Sequence, residues 1–136
     1  MSIPIPQNLD AYLHPVTSFE TAEIQRFEKG LVEVTFPIVP TMCNLYGIVH
    51  GGSTFALCDT IAGLVTVSLN RTCVTLSSSI NYIKAAKGGA LHIKGAAVHA
   101  GKTSIVVQVN VTDDIGSPIA TATFTMFALD PPDAEK

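Results

Sequence analysis

Charge is scarce in this chain. Only 14% of its 136 residues are Asp, Glu, Lys or Arg. That is too few to cover a small monomer with ionised groups, so part of the surface is expected to be buried against another subunit. The net charge is −3 and no basic stripe is present, which argues against nucleic acid as the main partner. No apolar run reaches the length of about 18 residues that a membrane-spanning helix needs, so no membrane span is expected. Residues 1–10 carry no basic segment, no apolar segment and no arginine, and the last three residues are Ala134, Glu135 and Lys136. Neither a secretory signal, a transit peptide nor a peroxisomal tripeptide is therefore expected, and the expectation is a cytoplasmic, intracellular protein. Cysteine is sparse as well: Cys43, Cys58 and Cys73 are an odd number without CxxC spacing. They read as free thiols in a reducing compartment, with no zinc site.

Apolar residues are abundant. At 47% hydrophobic the chain is a folded one, and its length suits a single domain with one core over residues 1–136. Residues 9–27 show a weak helical pattern broken by Pro15 and ended by Gly30, giving an expected N-terminal helical segment over about 7–29. Residues 31–39 are rich in β-branched side chains and read as a strand; residues 40–52 read as a long loop. Residues 53–69 carry one charged group, Asp59, and a helix apolar on all sides is expected to be buried. Asn70 and Arg71 end it. Four strands follow, over 73–83, 90–99, 103–112 and 118–129, with turns at Lys87-Gly88-Gly89, at Ala100-Gly101-Lys102 and at residues 113–117. The polar tail is 130–136.

Short turns imply antiparallel neighbours. A long antiparallel sheet must bury one face, and the apolar helix is its natural filling. The expected class is α+β, the hotdog architecture of a sheet wrapped around a long central helix; a small split α+β sandwich is the alternative.

The residues that could carry chemistry cluster before and within the helix: Asn44, His50, Gly51, Gly52, then Asp59. Glycines at a helix start leave backbone N–H groups accessible, and these donors suit a developing oxyanion such as that of an attacked thioester. Gly51-Gly52 could equally provide a tight start to the helix, and His50 could simply brace the loop. Asp59 is harder to explain structurally, because a carboxylate among apolar residues either pairs or has a function. Bonds to Thr60, Ser68 or backbone would be the structural explanation; attack on a thioester or activation of a water would be the chemical one. Gly51 and Asp59 are eight residues apart, which on one helix is roughly 12 Å. Acting on one carbonyl, they would have to come from two chains, with two helices antiparallel across a two-fold axis.

The stretch 44–52 followed by Asp59 resembles the phenylacetic-acid-degradation (PaaI) type of hotdog thioesterase, including the human thioesterase superfamily member 13 group. The resemblance covers roughly residues 30–129. The turn Gly101-Lys102-Thr103 and the hairpin Asp113-Asp114-Ile115-Gly116 are also similar. It implies that Asp59 is nucleophile or general base, that the Gly51 N–H polarises the thioester carbonyl, that Asn44 holds the water or the carboxylate, and that His50 orders the loop. It further implies an assisting hydroxyl on the following strand, acting from across the interface. Aligning on Asn81-Tyr82 assigns this to Thr75, with Ser77 competing. Gly52, Ser77 and Tyr82 join the substrate-binding set. No metal or cofactor is implied, and the partners implied are an acyl-CoA and a second copy, as dimer or dimer of dimers. Lys84, Lys87 and Lys102 lie at strand ends and turns, where CoA phosphates could rest. A hotdog hydratase or dehydratase and a non-catalytic acyl-CoA-binding module are the competing functions. The former wants a catalytic His and an acid at one site, and the latter would not need Asp59. The small and large helix residues Ala56, Ala62, Gly63, Phe55, Ile61 and Leu64 suit an aryl or a medium to long acyl group.

Overall fold

A computed structural model describes Gln7 and residues 21–130. The order is β1 (Glu23–Glu28), β2 (Leu31–Pro37), a 3-10 turn (Pro40–Met42), α1 (Gly51–Ser68), β3 (Cys73–Tyr82), β4 (Ala90–Ala100), β5 (Ser104–Thr112) and β6 (Pro118–Ala128). All six strands form one antiparallel sheet in the order β1-β2-β4-β5-β6-β3. This is the hotdog architecture expected from the sequence. No helix among the described residues is long and apolar enough to cross a membrane.

Alternation decides which face is buried. Ile105, Val107, Val109 and Val111 of β5 all point into the core, beside Val32, Val34 and Phe36 of β2 and Phe124 and Met126 of β6. Against this face α1 lays Leu57, Cys58, Ile61, Ala62 and Val65. The helix comes close to the sheet at Gly95 of β4, where an added Cβ would lie 2.7 Å from Ile61 Cγ2 and 2.9 Å from Val65 Cγ2. Only a residue without a side chain lets the helix sit at this depth. Gly95→Ala is therefore expected to cost about 1–3 kcal/mol of stability by overpacking. Urea denaturation checks it, as a lower midpoint at unchanged slope; an unchanged midpoint would mean that the helix rides loosely on the sheet.

Three expectations are corrected. First, the C-terminal part of the supposed helix at 9–27 is a strand; residues 8–20 lie outside the described residues. Glu23–Glu28 pairs with β2 through the turn at Lys29 and Gly30, where Gly30 has φ 78°. Its side chains are all exposed, so it carries no apolar stripe by which a strand pattern would be read. Second, β3 and β4 are not neighbours. β3 pairs with β6 at the far edge, and residues 83–89 cross back over two strands to β4. Three strand spacings are about 14 Å, within the roughly 23 Å that seven extended residues reach. Third, α1 is not buried on all sides. Ser53, Thr54, Leu57, Cys58, Ile61, Ala62, Val65 and Thr66 are buried, while Gly51, Gly52, Thr60 and Val67 are exposed and Asp59 is partly so.

Candidate active site

The start of α1 is built by the loop before it. The Asn44 carboxamide oxygen accepts the N–H groups of Tyr46 (2.9 Å) and Ile48 (3.1 Å), and the Asn44 N–H donates to the Ile48 carbonyl at 2.8 Å. This closes a tight turn and leaves the Asn44 NH2 as the part of the side chain that could reach a substrate. The His50 backbone N–H then donates to the Met42 carbonyl at 2.8 Å, a bond that does not involve the imidazole. His50 is the residue preceding the helix and provides no side-chain cap, and the first turn holds no acidic residue. The first N–H groups of a helix have no partner within it, and its dipole is positive there. Gly51 and Gly52, both exposed, therefore offer donors to an anion without a side chain in the way.

Tyr82 closes one side of this helix start. Its hydroxyl donates to the Gly51 carbonyl at 2.7 Å, and its ring would meet a Cβ at Gly51 at 3.2 Å. Burial raises the Tyr82 hydroxyl above its ordinary pKa, and the Cys58 thiol adds to this, so it stays protonated and donates. The crossover brings a second wall. The Val49 N–H donates to the Ala86 carbonyl at 3.0 Å, pinning residues 84–86 beside the loop. The result is a cleft of about 300 Å³ lined by Gly51, Thr54, Tyr82, Lys84, Ala86 and Ile119, among others.

Asp59 stands eight residues further along, where it meets Thr75 of β3. The Thr75 hydroxyl donates to Asp59 Oδ1 at 2.6 Å, a length expected of a charge-assisted bond. Neither Thr60 nor Ser68 provides the structural alternative, for their hydroxyls donate to the carbonyls of Ala56 and Val65. The carboxylate and the assisting hydroxyl thus belong to one chain. Cys58 beside them is no nucleophile: burial and the charge of Asp59 push its thiol up to about 12. Burial likewise raises Cys43 and Cys73, and all three are free thiols.

Ser77 does not join Thr75. The register of β3 on β6 slips between them, with Thr75 opposite Met126 but Ser77 opposite Thr125. The bulge at Leu76 adds one residue to the period of two. Ser77 therefore shares the outer face with Thr125, while Ser78, opposite the buried Phe124, faces the helix side. Lys84 is ion-paired with Asp113 at 3.1 Å. Desolvation opposes ionisation of Asp113, but bonds from Lys84, Ser117 N–H and Ile115 N–H, together with the Lys84 charge, hold it below the usual carboxylate range. Lys102 lies beyond the other end of α1. Arg71 there donates to the carbonyls of Gly101 (2.9 Å) and Lys102 (2.8 Å) and pairs with Asp130 at 3.3 Å.

Apart from Ser77 on the outer face and Lys102 beyond the end of α1, the expected residues fall into two groups within one chain. Asn44, His50, Gly51, Gly52, Tyr82 and Lys84 gather at the start of α1, and Asp59 and Thr75 at its middle. Two contacts were not foreseen. Arg71, which braces the Lys102 turn, carried no signal beyond ending a helix. The bond from Tyr82 to Gly51 joins residues 31 positions apart, which no local pattern reports.

Comparison with known proteins bears on this arrangement. Residues 46–120 match the profile of the Thioesterase superfamily. The structure of a hypothetical thioesterase protein of Streptococcus pneumoniae TIGR4 with coenzyme A is 47% identical, with a TM-score of 0.81, covering 83% of this chain and 89% of that one. That protein has also been solved with an aspartate and, sixteen positions later, a threonine each replaced by alanine; Asp59 and Thr75 have the same separation. A Streptococcus mutans UA159 protein bound to acetyl CoA is 47% identical, with a TM-score of 0.80, covering 88% of this chain and 98% of that one. The human cytosolic acyl coenzyme A thioester hydrolase is 30% identical over 105 residues, which are 75% of this chain and 27% of that longer protein.

Proposed function

The chain belongs to the thioesterase superfamily and is a thioester hydrolase, and from this we propose that it hydrolyses an acyl-CoA to the free acid and CoA at a site shared between two subunits. The observation that carries the reading is the Asp59 carboxylate, held at 2.6 Å by Thr75 on the side of α1 that the sheet leaves open. One oxygen is engaged by Thr75, and the other is left for a water or for the thioester carbon. As general base, Asp59 takes the proton of a water that attacks the carbonyl; as nucleophile, it attacks directly and water later cleaves the anhydride. In either course the carbonyl oxygen gains charge, the C–S bond breaks and CoA leaves as thiolate. The Gly51 N–H is the donor for that oxygen.

The separation of roughly 12 Å along one helix supports placing Gly51 and Asp59 of one site on different chains. Several features support a two-fold dimer with antiparallel α1 helices. Among the described residues β3 is an edge strand with no neighbour beyond it. Val74, Leu76 and Ile83 on or beside it are exposed, Leu76 by 64%. Lys84 and Lys102, at opposite ends of α1 in one chain, would then converge on the CoA of one site. The names of the streptococcal relatives, with coenzyme A and acetyl CoA, support CoA as the leaving half of the substrate. The acyl half is an aryl or a medium to long chain.

The test is free-thiol release from a panel of aryl and aliphatic acyl-CoAs, with wild type beside Thr75→Ala. Loss of a hydrogen bond to a charged group costs about 1.5–3 kcal/mol, so Thr75→Ala is expected to lower kcat by about tenfold or more. A wild type that binds CoA yet turns over no ester would leave a non-catalytic acyl-CoA-binding module as the function.

A further inference from the structure

The Tyr82 hydroxyl is engaged by the backbone at the start of α1. It donates to the Gly51 carbonyl at 2.7 Å. That oxygen and the Gly52 N–H are the two ends of one peptide unit. A hydrogen bond given to the oxygen withdraws electron density from the nitrogen, so the N–H at the other end becomes a stronger donor. A carbonyl has two lone pairs and can accept this bond in addition to its place in the helix ladder. Tyr82 is itself rigidly placed: it lies opposite Ala120 in the β3–β6 register, and the next N–H, of Ile83, donates to the Ile119 carbonyl at 2.8 Å. The ring packs where a Cβ at Gly51 would be, 3.2 Å away, so the first peptide of α1 is held from the side as well as from its oxygen.

The geometry points to Tyr82 as the positioning residue of a two-amide oxyanion cradle, in which its hydroxyl fixes and polarises the Gly51–Gly52 peptide and the Gly52 N–H joins that of Gly51 on the thioester oxygen. This rests on the acyl-CoA reading. It makes Tyr82 more than a lining residue, and Gly52 more than a gap in the side chains. Because the bond is formed before substrate arrives, no reorganisation is required when charge develops on the oxygen.

The test uses Tyr82→Phe, which keeps the ring and removes the hydroxyl. Infrared difference spectra are taken of benzoyl-CoA and of octanoyl-CoA, each isotopically labelled at its carbonyl carbon, bound to Asp59→Asn with and without Tyr82→Phe. The carbonyl band of the bound ester is expected below its solution frequency in Asp59→Asn, and to move back toward it when Tyr82→Phe is added. With Asp59 intact, Tyr82→Phe is expected to lower kcat by about tenfold with KM changed less than about twofold, the pattern of an interaction made in the transition state. An unmoved band, or a change confined to KM, overturns the role of Tyr82. No bound ester in any variant overturns the acyl-CoA reading and this inference together. Asp59→Asn that hydrolyses like wild type overturns only the role of Asp59, and Tyr82 is then judged by the kcat and KM of Tyr82→Phe alone.

Discussion

Asp59→Asn is expected to lower kcat for acyl-CoA hydrolysis by about a hundredfold or more, with little change in KM. The substitution keeps the size of the side chain and an oxygen that can accept the Thr75 hydroxyl, so the local geometry has no reason to collapse. What disappears is the negative charge and the basicity, which is what both a general base and a nucleophile need. The neighbours cannot substitute: burial, the larger cause, still raises the Cys58 thiol once the Asp59 charge is gone, and the Thr75 hydroxyl is a donor to residue 59, not a base. Steady-state thiol release over the acyl-CoA panel checks this. Activity equal to wild type would remove Asp59 from the chemistry and leave its bond to Thr75 as a structural feature of the helix face.

Mixing two inactive variants is expected to restore activity. In a chain with Gly51→Pro the helix can still begin, since proline is tolerated at the first helical position, but the N–H is gone; loss of an oxyanion donor costs about 10²–10³ in rate. Asp59→Asn retains the donor and lacks the carboxylate. Co-refolded in equal amounts, half of the dimers are mixed, and each mixed dimer has one complete site and one doubly defective site. Recovery to about a quarter of wild-type activity follows from that two-fold arrangement. If mixed dimers form, as read by mass spectrometry of tagged chains, and no activity returns, then each site is built within one chain.

Much of the fold was legible because one face of the sheet is uniformly apolar. The period of two in Ile105, Val107, Val109 and Val111 gave β5, and the apolar run with a single carboxylate gave α1 to within two residues of its ends. What was not legible has physical causes. β1 has every side chain exposed, so its composition is set by solvent and carries no alternation. The pairing of β3 with β6 depends on where residues 83–89 travel, and a glycine pair looks the same in a hairpin as in a crossover. The bulge at Leu76 shifts Ser77 to the outer face; from spacing alone Thr75 and Ser77 look equivalent. Of the candidate site, the residue types and their grouping before and within α1 were visible. The Tyr82 bond to Gly51 was not, because it depends on the crossover that brings the end of β3 to the helix start.

The pairing of β3 with β6 also has a consequence for the order in which the molecule can assemble. β1 with β2, β4 with β5 and β5 with β6 are joined through short turns and close at small entropic cost, whereas β3 meets β6 only across the chain that runs from Tyr82 to Ala120, and β2 meets β4 only across the longer stretch from Pro37 to Ala90. Closing so long a loop costs more conformational entropy and slows the step that needs it. The Thr75 hydroxyl reaches Asp59 only once β3 has docked on β6. The same docking creates the free edge at which a second chain would join. A chain caught before β3 docks would have neither the bond between Thr75 and Asp59 nor the surface for its partner.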